Sequence, residues 1–338
     1  MNTNDSIDLP DAPAIQGLRF RLFRDEADYR GMAGVHEQSK LWDQIDPLSA
    51  REGVPTAAVL PQTFPIAELR HSPDLLIAEI NGQIIGYNHV LWHWTEESGT
   101  RVYLHLGYLI PAWRGQGIGR AMLHWAQGRI HEIAHQEHPS GASMLATNVS
   151  STEREADLLI QSEGYTAIHR LSDMKLEPLC LFSPPSLPAE LEIRPVISDH
   201  YRAIYDAWKD AFSGMLTSTP ASEEDYQEFL ADHMNRANLD LSLCQIAWAN
   251  DQAIGLVWAS IRRGVGIVEQ VATRKAWQRR GIAWILLMRS LNALFERGIG
   301  QVRLFTDADN GQGAHSLYES LGFREVKQHI FYRKPLEL

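Results

Sequence analysis

The sequence predicts a mixed α/β protein built from two tandem copies of one domain, and three observations carry the prediction. A Gly- and Arg-rich hexamer occurs twice, as Arg114-Gly115-Gln116-Gly117-Ile118-Gly119 and as Gln278-Arg279-Arg280-Gly281-Ile282-Ala283. Each follows a strand-like run (102–110, 267–273) and opens a helix (120–131, 284–296). The surrounding elements recur in one order, strands in a run with one helix after the fourth and another after the fifth. A chain of 338 residues holds about two domains, each large enough for its own core. A repeat of this size is a duplication and not a solenoid.

The first copy is expected over residues 15–177, after a polar, acidic stretch, 1–14, that reads as a frayed tail with no signal-peptide character. Residues 18–21 alternate like a strand, and 25–39 read as a helix opened by an Asp-rich turn. Residues 42–65 are Pro-rich and irregular, with helix potential at 56–60. Residues 75–80 and 83–91, joined by Asn81-Gly82, form a hairpin, because both turn residues tolerate positive φ. Strands at 102–110 and 144–147 and a helix at 152–162 follow, and Gly164-Tyr165 leads into a final pair of short strands.

Residues 178–189 form a Pro-rich linker, with Pro178, Pro184, Pro185 and Pro188, better suited to a semi-rigid connector than to a helix or inner strand. The second copy, 190–338, repeats the order. A strand lies at 191–194, a helix at 200–212 and a further helix at 222–234 capped by Ser222. A hairpin (243–249, 253–261) turns at Asn250-Asp251. The strand at 301–306, the helix at 313–321 and the strand at 327–332 close the chain.

Composition narrows the function. The chain is 44% hydrophobic and 22% charged, as in a soluble globular protein. Its net charge of −11 argues against general nucleic-acid binding. Residues 1–178 hold 14 Lys and Arg against 23 Asp and Glu, a net −9, and the rest 17 against 19, a net −2. An acidic surface mildly favours a cationic amine substrate. Cys180 and Cys244 make neither a disulfide framework nor a metal cluster, and no apolar run reaches spanning length. The expected compartment is the cytoplasm.

A loop of the hexamer type leaves backbone N–H groups free at a helix N-terminus, where the dipole also favours negative charge, so each hexamer is a candidate phosphate seat. Gly281 lets a ligand approach the backbone, and Arg279 and Arg280 add cationic arms. Both copies read Gln/Arg-x-x-Gly-x-Gly/Ala, with a Trp just before (Trp113, Trp277). This resembles the acetyl-CoA loop of the GCN5-related N-acetyltransferases (GNAT), over nearly the whole chain. The resemblance implies two domains, each a mixed, mostly antiparallel sheet flanked by helices, with acetyl-CoA in a cleft where two central strands diverge. The implied cofactor contacts are Arg114, Gly115, Gln116, Gly117, Ile118 and Gly119 in the first copy. In the second they are Val271, Ala272 and Thr273 on the strand, then Gln278, Arg279, Arg280, Gly281, Ile282 and Ala283.

Acetyl transfer to an amine needs a proton acceptor for the amine and an acid for the departing thiolate. Glu269, nine residues before Gln278, stands where the family often places its base; the ordinary alternative is a strand carboxylate paired with a neighbouring Arg. His105 is its counterpart in the first copy, a possible base with a pKa near neutrality. Asp309-Asn310 and then Ala314-His315-Ser316-Leu317-Tyr318-Glu319-Ser320-Leu321-Gly322-Phe323 is similar to the family's N…A..LYE.LGF signature. That match implies Tyr318 as general acid and Asn310 as a cofactor contact; the alternative for Tyr318 is a core aromatic.

The first copy has Ile160 where Tyr318 stands, and an Ile cannot protonate a thiolate. The first domain is therefore expected to be non-catalytic and the second catalytic, an arrangement similar to that of the mycothiol synthases among tandem acetyltransferases. His131-Glu132-Ile133-Ala134-His135 matches a zinc-protease motif, but its place at a helix end favours a solvated polar turn, and no metal is expected.

The expected activity is transfer of acetyl from acetyl-CoA to a primary amine of a small molecule, by a monomer or homodimer with no nucleic-acid or membrane partner. Loops at 211–221 and 262–266 are expected to set the acceptor. Alternatives are a longer acyl group, a peptide N-terminus, or an acyl-CoA-binding sensor without turnover.

Overall fold

The computed structural model describes residues 6–47, 49, 52–69, 73–96, 98–139, 141–213, 221–234, 240–308 and 313–338. In chain order the elements are β1 (Ser6–Ile7), β2 (Leu18–Leu22), α1 (Asp28–Ser39), α2 (Leu60–Thr63), α3 (Ile66–Leu69), β3 (Leu75–Ile80), β4 (Gln83–Thr95) and β5 (Arg101–Leu109). Then come α4 (Ile118–Glu137), β6 (Ser143–Ser150), α5 (Arg154–Ser162), β7 (Thr166–Leu176), β8 (Glu192–Ile193), α6 (Tyr201–Phe212) and α7 (Glu223–Phe229). The rest are β9 (Gln245–Ala249), β10 (Gln252–Arg262), β11 (Val265–Thr273), α8 (Ile282–Glu296), β12 (Val302–Asp307), α9 (Ala314–Ser320) and β13 (Arg324–Pro335). The chain divides into two compact units, residues 1–170 with 327–338, and residues 171–326.

In the first unit the strand order is β1-β2-β3-β4-β5-β6, with residues 329–335 of β13 beside β6. Among the described residues, β5 and β6 run parallel, and β1-β2, β2-β3, β3-β4, β4-β5 and β6-β13 antiparallel. In the second unit the order is β8-β9-β10-β11-β12, with residues 171–176 of β7 beside β12, and only β11 and β12 run parallel. Each unit is thus a mixed, largely antiparallel sheet with flanking helices. The final strand, read at 327–332, completes the sheet of the first unit. The expected pair of short strands after Gly164 is instead the single strand β7.

Turn chemistry fixes the hairpins. Asn81 (φ 52°) and Gly82 (φ 82°) join β3 to β4, a two-residue turn of the kind that matches strand twist. Arg263 (φ 52°) and Gly264 (φ 79°) do the same for β10 and β11. The segment expected as an acceptor loop at 262–266 is therefore a tight turn. Of the other such loop, 211–221, residues 214–220 lie outside the described set. Ser222 caps α7 as expected, accepting a hydrogen bond from Asp225 N at 3.0 Å. The helix potential at 56–60 is realised slightly later, as α2.

Helix α4 buries Ile118, Ala121, Met122, Ala126, Ile130 and Ala134, a three-to-four spacing that seats one face on the sheet. Helix α8 buries Ile282, Ile285, Leu286, Leu287, Met288, Leu291 and Leu294, too many for one stripe, as befits a helix enclosed on more than one side. Each such Leu or Ile contributes about 1.5–3 kcal/mol by leaving water.

Three stretches behave differently from their sequence character. Ser6 and Ile7 pair with Arg21 and Phe20, and Leu9, Ala12 and Ile15 pack on the core, so the described part of the expected tail is seated. Arg21, polar in an alternating strand, is 4% exposed, with its guanidinium bidentate to Asp28 at 2.8 Å and its Nε 2.9 Å from Glu79. The Pro-rich segment 178–189 has no helix or strand but is docked: Leu179 N–H donates to Gly300 O at 2.8 Å, and Asn292 exchanges bonds with the Phe182 backbone.

Candidate functional site

Each unit parts its two parallel strands at a matching place. Strand β5 pairs with β6 from Arg101↔Ser143 to Leu104↔Ala146, and β11 with β12 from Gly266↔Val302 to Val268↔Leu304. The next residue is His105 in the first unit and Glu269 in the second. Both sit where the register with the antiparallel neighbour shifts, between His89 and Trp92 on β4 and between Trp258 and Ala259 on β10. Such irregularities re-aim a side chain. Beyond them Val271, Ala272 and Thr273 still pair with Val257, Leu256 and Gly255, while their other edge has left β12.

The two hexamers share a backbone. Positive φ recurs at the second and fourth positions: Gly115 (71°) and Gly117 (91°), Arg279 (63°) and Gly281 (75°). Gly117 and Gly281 are the N-caps of α4 and α8, and no side chain caps either helix, so the first amides are free for an anion. A Cβ built on Gly115 or Gly281 meets nothing within 4 Å, so the approach is open. The buried Thr273 Oγ1, at the head of the second loop, has no partner among the described residues. The loops therefore fit a phosphate-bearing coenzyme. Ile118 and Ile282, 0% and 1% exposed, anchor the helix starts in the core.

The first side chain of each hexamer turns away from such a ligand. Arg114 Nε donates to Leu109 O at 2.8 Å and Gln278 Nε2 to Thr273 O at 3.1 Å, each reaching back five residues. The Arg114 guanidinium is also bidentate to Asp43, at 2.5 and 2.6 Å. Gln116 donates to Ala112 O at 3.1 Å, and the Arg280 guanidinium lies 4.7 Å from the centre of the Trp277 ring. A Cβ at Gly119 would make only ordinary contacts, 3.4 Å from Leu159 Cδ2.

Glu269 Oε1 accepts from Ser260 Oγ at 2.5 Å and Arg262 Nη2 at 2.7 Å. Tyr318 is 7% exposed, its ring edge-on to Phe323 at 6.0 Å, and no described residue hydrogen-bonds its hydroxyl. Burial raises its phenol pKa well above the ordinary value. Asn310 lies outside the described residues.

His105 does not keep the near-neutral pKa expected of it. It is 1% exposed, its Nε2 is 2.7 Å from Tyr165 Oη, and burial lowers its pKa to about 3. The two units have also exchanged a hydroxyl. Where the second has Tyr318 and Phe323, the first has Ile160 and Tyr165, and Tyr165 is the partner of His105.

A cavity of about 830 Å³ lies in the first unit. Residues 105–109 and 147–150 of the parted strands line it, together with Gly115, Gly117 and Gly119. Asn88, Asp43 and Glu153 also line it; none belongs to a motif, and nothing in the local pattern distinguishes them. Burial, with Asp43 and Glu52 nearby, pushes the Glu153 carboxyl up to about 7, against the pull of Arg114. Among the described residues no helix is long and apolar enough to cross a membrane.

Comparison with known proteins bears on both units. The Acetyltransferase (GNAT) family matches residues 201–323, and a second Acetyltransferase (GNAT) domain matches residues 71–167. A mycothiol acetyltransferase of Renibacterium salmoninarum is 25% identical over 234 residues, 67% of this chain and 65% of that protein. One from Nocardiopsis dassonvillei is 26% identical over 283 residues, 75% of this chain and 80% of that protein. The structure of a GCN5-related N-acetyltransferase from Sphaerobacter thermophilus superposes with a TM-score of 0.74 at 20% identity, covering 98% of each chain, a likeness of fold. The chain thus carries two tandem domains of the GCN5-related N-acetyltransferase family, whose members draw on an acyl-CoA donor.

Proposed function

We propose that the protein is an acetyl-CoA-dependent N-acetyltransferase acting on a primary amine of a small molecule, with its chemistry in the second unit. One observation carries the reading: Glu269 stands where β11 leaves β12, on the strand that leads into the loop from Gln278 to Gly281, the N-cap of a helix whose first amides no side chain caps. The similarity to mycothiol acetyltransferases supports acetyl as the group carried and a small molecule as acceptor.

In this reading the amides of residues 279–283 hold the pyrophosphate, Arg279 and Arg280 add charge, and Gln278 braces the loop. The freed edge of Val271, Ala272 and Thr273 faces the same ligand, with Asn310 implied by the signature. Acetyl-CoA supplies the acetyl group as an activated thioester. Glu269, oriented by Ser260 and Arg262, takes a proton from the acceptor's ammonium so that its lone pair is available. Tyr318 keeps a proton on its hydroxyl for the departing sulfur. The first hexamer, with the same backbone, is a second candidate seat for the coenzyme.

The test is calorimetric titration of acetyl-CoA into wild type, Gly117→Trp and Gly281→Trp, with thiol release measured across a panel of primary amines. Loss of turnover in Gly281→Trp alone supports the second unit as the working one. Loss in Gly117→Trp alone reverses the assignment, and no binding to wild type removes the acetyl-CoA reading.

A further inference from the structure

The cavity of the first unit is lined both by Gly115, Gly117 and Gly119 of the anion seat and by the carboxylates Asp43, Glu52, Glu153 and Glu155. Three of these carboxylates have cations. Asp43 holds Arg114; Glu155 lies 3.5 Å from the same guanidinium and accepts from Trp42 Nε1 at 3.0 Å; Glu52 receives Lys327 Nζ at 2.8 Å. Glu153 has none among the described residues. Its Oε2 accepts the Ser150 N–H at 2.6 Å, and no Lys or Arg is paired with it.

A second group in the cavity is also short of a donor. Asn88 is 2% exposed; its Nδ2 donates to Met122 O at 3.4 Å, and its Oδ1 has no partner among the described residues. Buried acceptors are nearly always satisfied, so an unmatched one on a cavity wall points to a ligand that donates. A carboxylate without a cation points to a ligand that is positive. The remaining wall is largely apolar, with Val35, Leu106, Met122 and Phe331, and Leu158 at the rim is 68% exposed.

We propose that the cavity of the first unit binds a protonated primary amine on an apolar body, with Glu153 as its counter-ion and Asn88 as a further acceptor. The site does not depend on acetyl transfer, and a domain lacking the family's tyrosine can hold an amine without turning it over. An ammonium offers three N–H donors and the missing charge. Several other groups lining the cavity keep one charge state through neutral pH. His36 and His105 are held neutral by burial, at about 4 and 3, and Tyr108 is raised by burial. Asp43 and Glu52 repel the Glu153 charge and Arg114 attracts it, while Glu155 is lowered by its own backbone amide, Trp42 and Arg114. His329, on the β13 wall, is the remaining titratable neighbour.

The experiment is ligand-observed NMR titration of the full chain with tyramine, and with its neutral isostere tyrosol, at pH 6 and pH 8 without coenzyme. For a carboxyl titrating at about 7, the ionised fraction rises about tenfold between these pH values. Tyramine is therefore expected to bind about tenfold more tightly at pH 8, and tyrosol equally at both. Glu153→Gln, which keeps an oxygen for Ser150 N–H, should weaken tyramine about tenfold at pH 8 and abolish the pH dependence. Glu224→Gln, at an exposed carboxylate on α7 of the second unit, should leave both intact. The proposal is overturned by no binding at millimolar tyramine, by equal binding of tyrosol, or by a pH dependence that persists in Glu153→Gln. An effect of Glu224→Gln alone would overturn it too.

Discussion

Tyr318→Phe separates chemistry from packing. The substitution removes one oxygen and keeps the ring, which stays edge-on to Phe323. No described residue hydrogen-bonds the hydroxyl, so the roughly 0.5–1.5 kcal/mol of a net hydrogen bond is not forfeited. The expected stability change is within about 0.5 kcal/mol, a melting shift of about 2 °C or less for a unit of this size. A positioned acid contributes about 10²–10⁴-fold, so kcat should fall by at least about 100-fold, equivalent to about 2.7 kcal/mol of barrier. Burial raises the phenol above its ordinary pKa, so the proton stays in place through pH 9 and the wild type should show no alkaline loss of kcat from this group there. The assay is thiol release from acetyl-CoA with the best amine of a panel, kcat and KM resolved separately, beside thermal melts of both proteins. If kcat stays within twofold while the melts coincide, Tyr318 is a core aromatic and the acid lies elsewhere.

Other perturbations test other parts of the structure. Glu153 binds its proton more tightly folded than unfolded, so the wild type loses stability as pH rises from about 4.5 to about 7. Glu153→Gln should accordingly be the more stable protein at pH 8, by on the order of 2 kcal/mol, and lose that advantage toward pH 4.5, as read by denaturant midpoints. Arg279→Gly keeps the left-handed backbone (φ 63°) at no steric cost and should lower acetyl-CoA affinity in calorimetry. Asp28→Ala leaves Arg21 buried with Glu79 alone and should cost about 3 kcal/mol in a urea titration. Gly86→Ala places a Cβ 2.6 Å from Tyr108 O on the neighbouring strand and should cost at least about 1 kcal/mol by the same titration.

The parts of the fold visible in the sequence are those decided locally. Asn81-Gly82 dictates a hairpin whatever surrounds it, and the apolar run of α8 can only be a buried helix. What local pattern cannot choose is the partner. Strand β7 holds Ser172 and Asp173, both fully buried, and Asp173 is stable there because Arg303 on β12 lies 3.4 Å away. No residue near position 173 announces that. The tail shows the same limit: nothing near Asp11, an exposed residue, announces that His124 lies 2.7 Å from it. At the site, the hexamers and the Tyr318 signature were legible because several residue types recur at fixed spacing. Glu153 was not. A glutamate entering a helix is ordinary, and only the cavity around it makes it unusual.

The brace by the first side chain of each hexamer bears on the electrical character of the two seats. Because that residue only has to reach one carbonyl with an N–H, Arg and Gln serve equally, and the arginine of the first copy adds no net charge for a ligand. Arg120, next along, is matched by Glu163 at 2.7 Å. The second hexamer carries Arg280, over the Trp277 ring, in the position where the first has Gln116. Identical backbones thus present different fields, and ionic strength distinguishes them. As the screening length contracts from about 30 Å at 0.01 M salt to about 3 Å at 1 M, an anion on the second loop should loosen steeply and one on the first only slightly. A salt series on the unmodified protein therefore identifies the occupied loop.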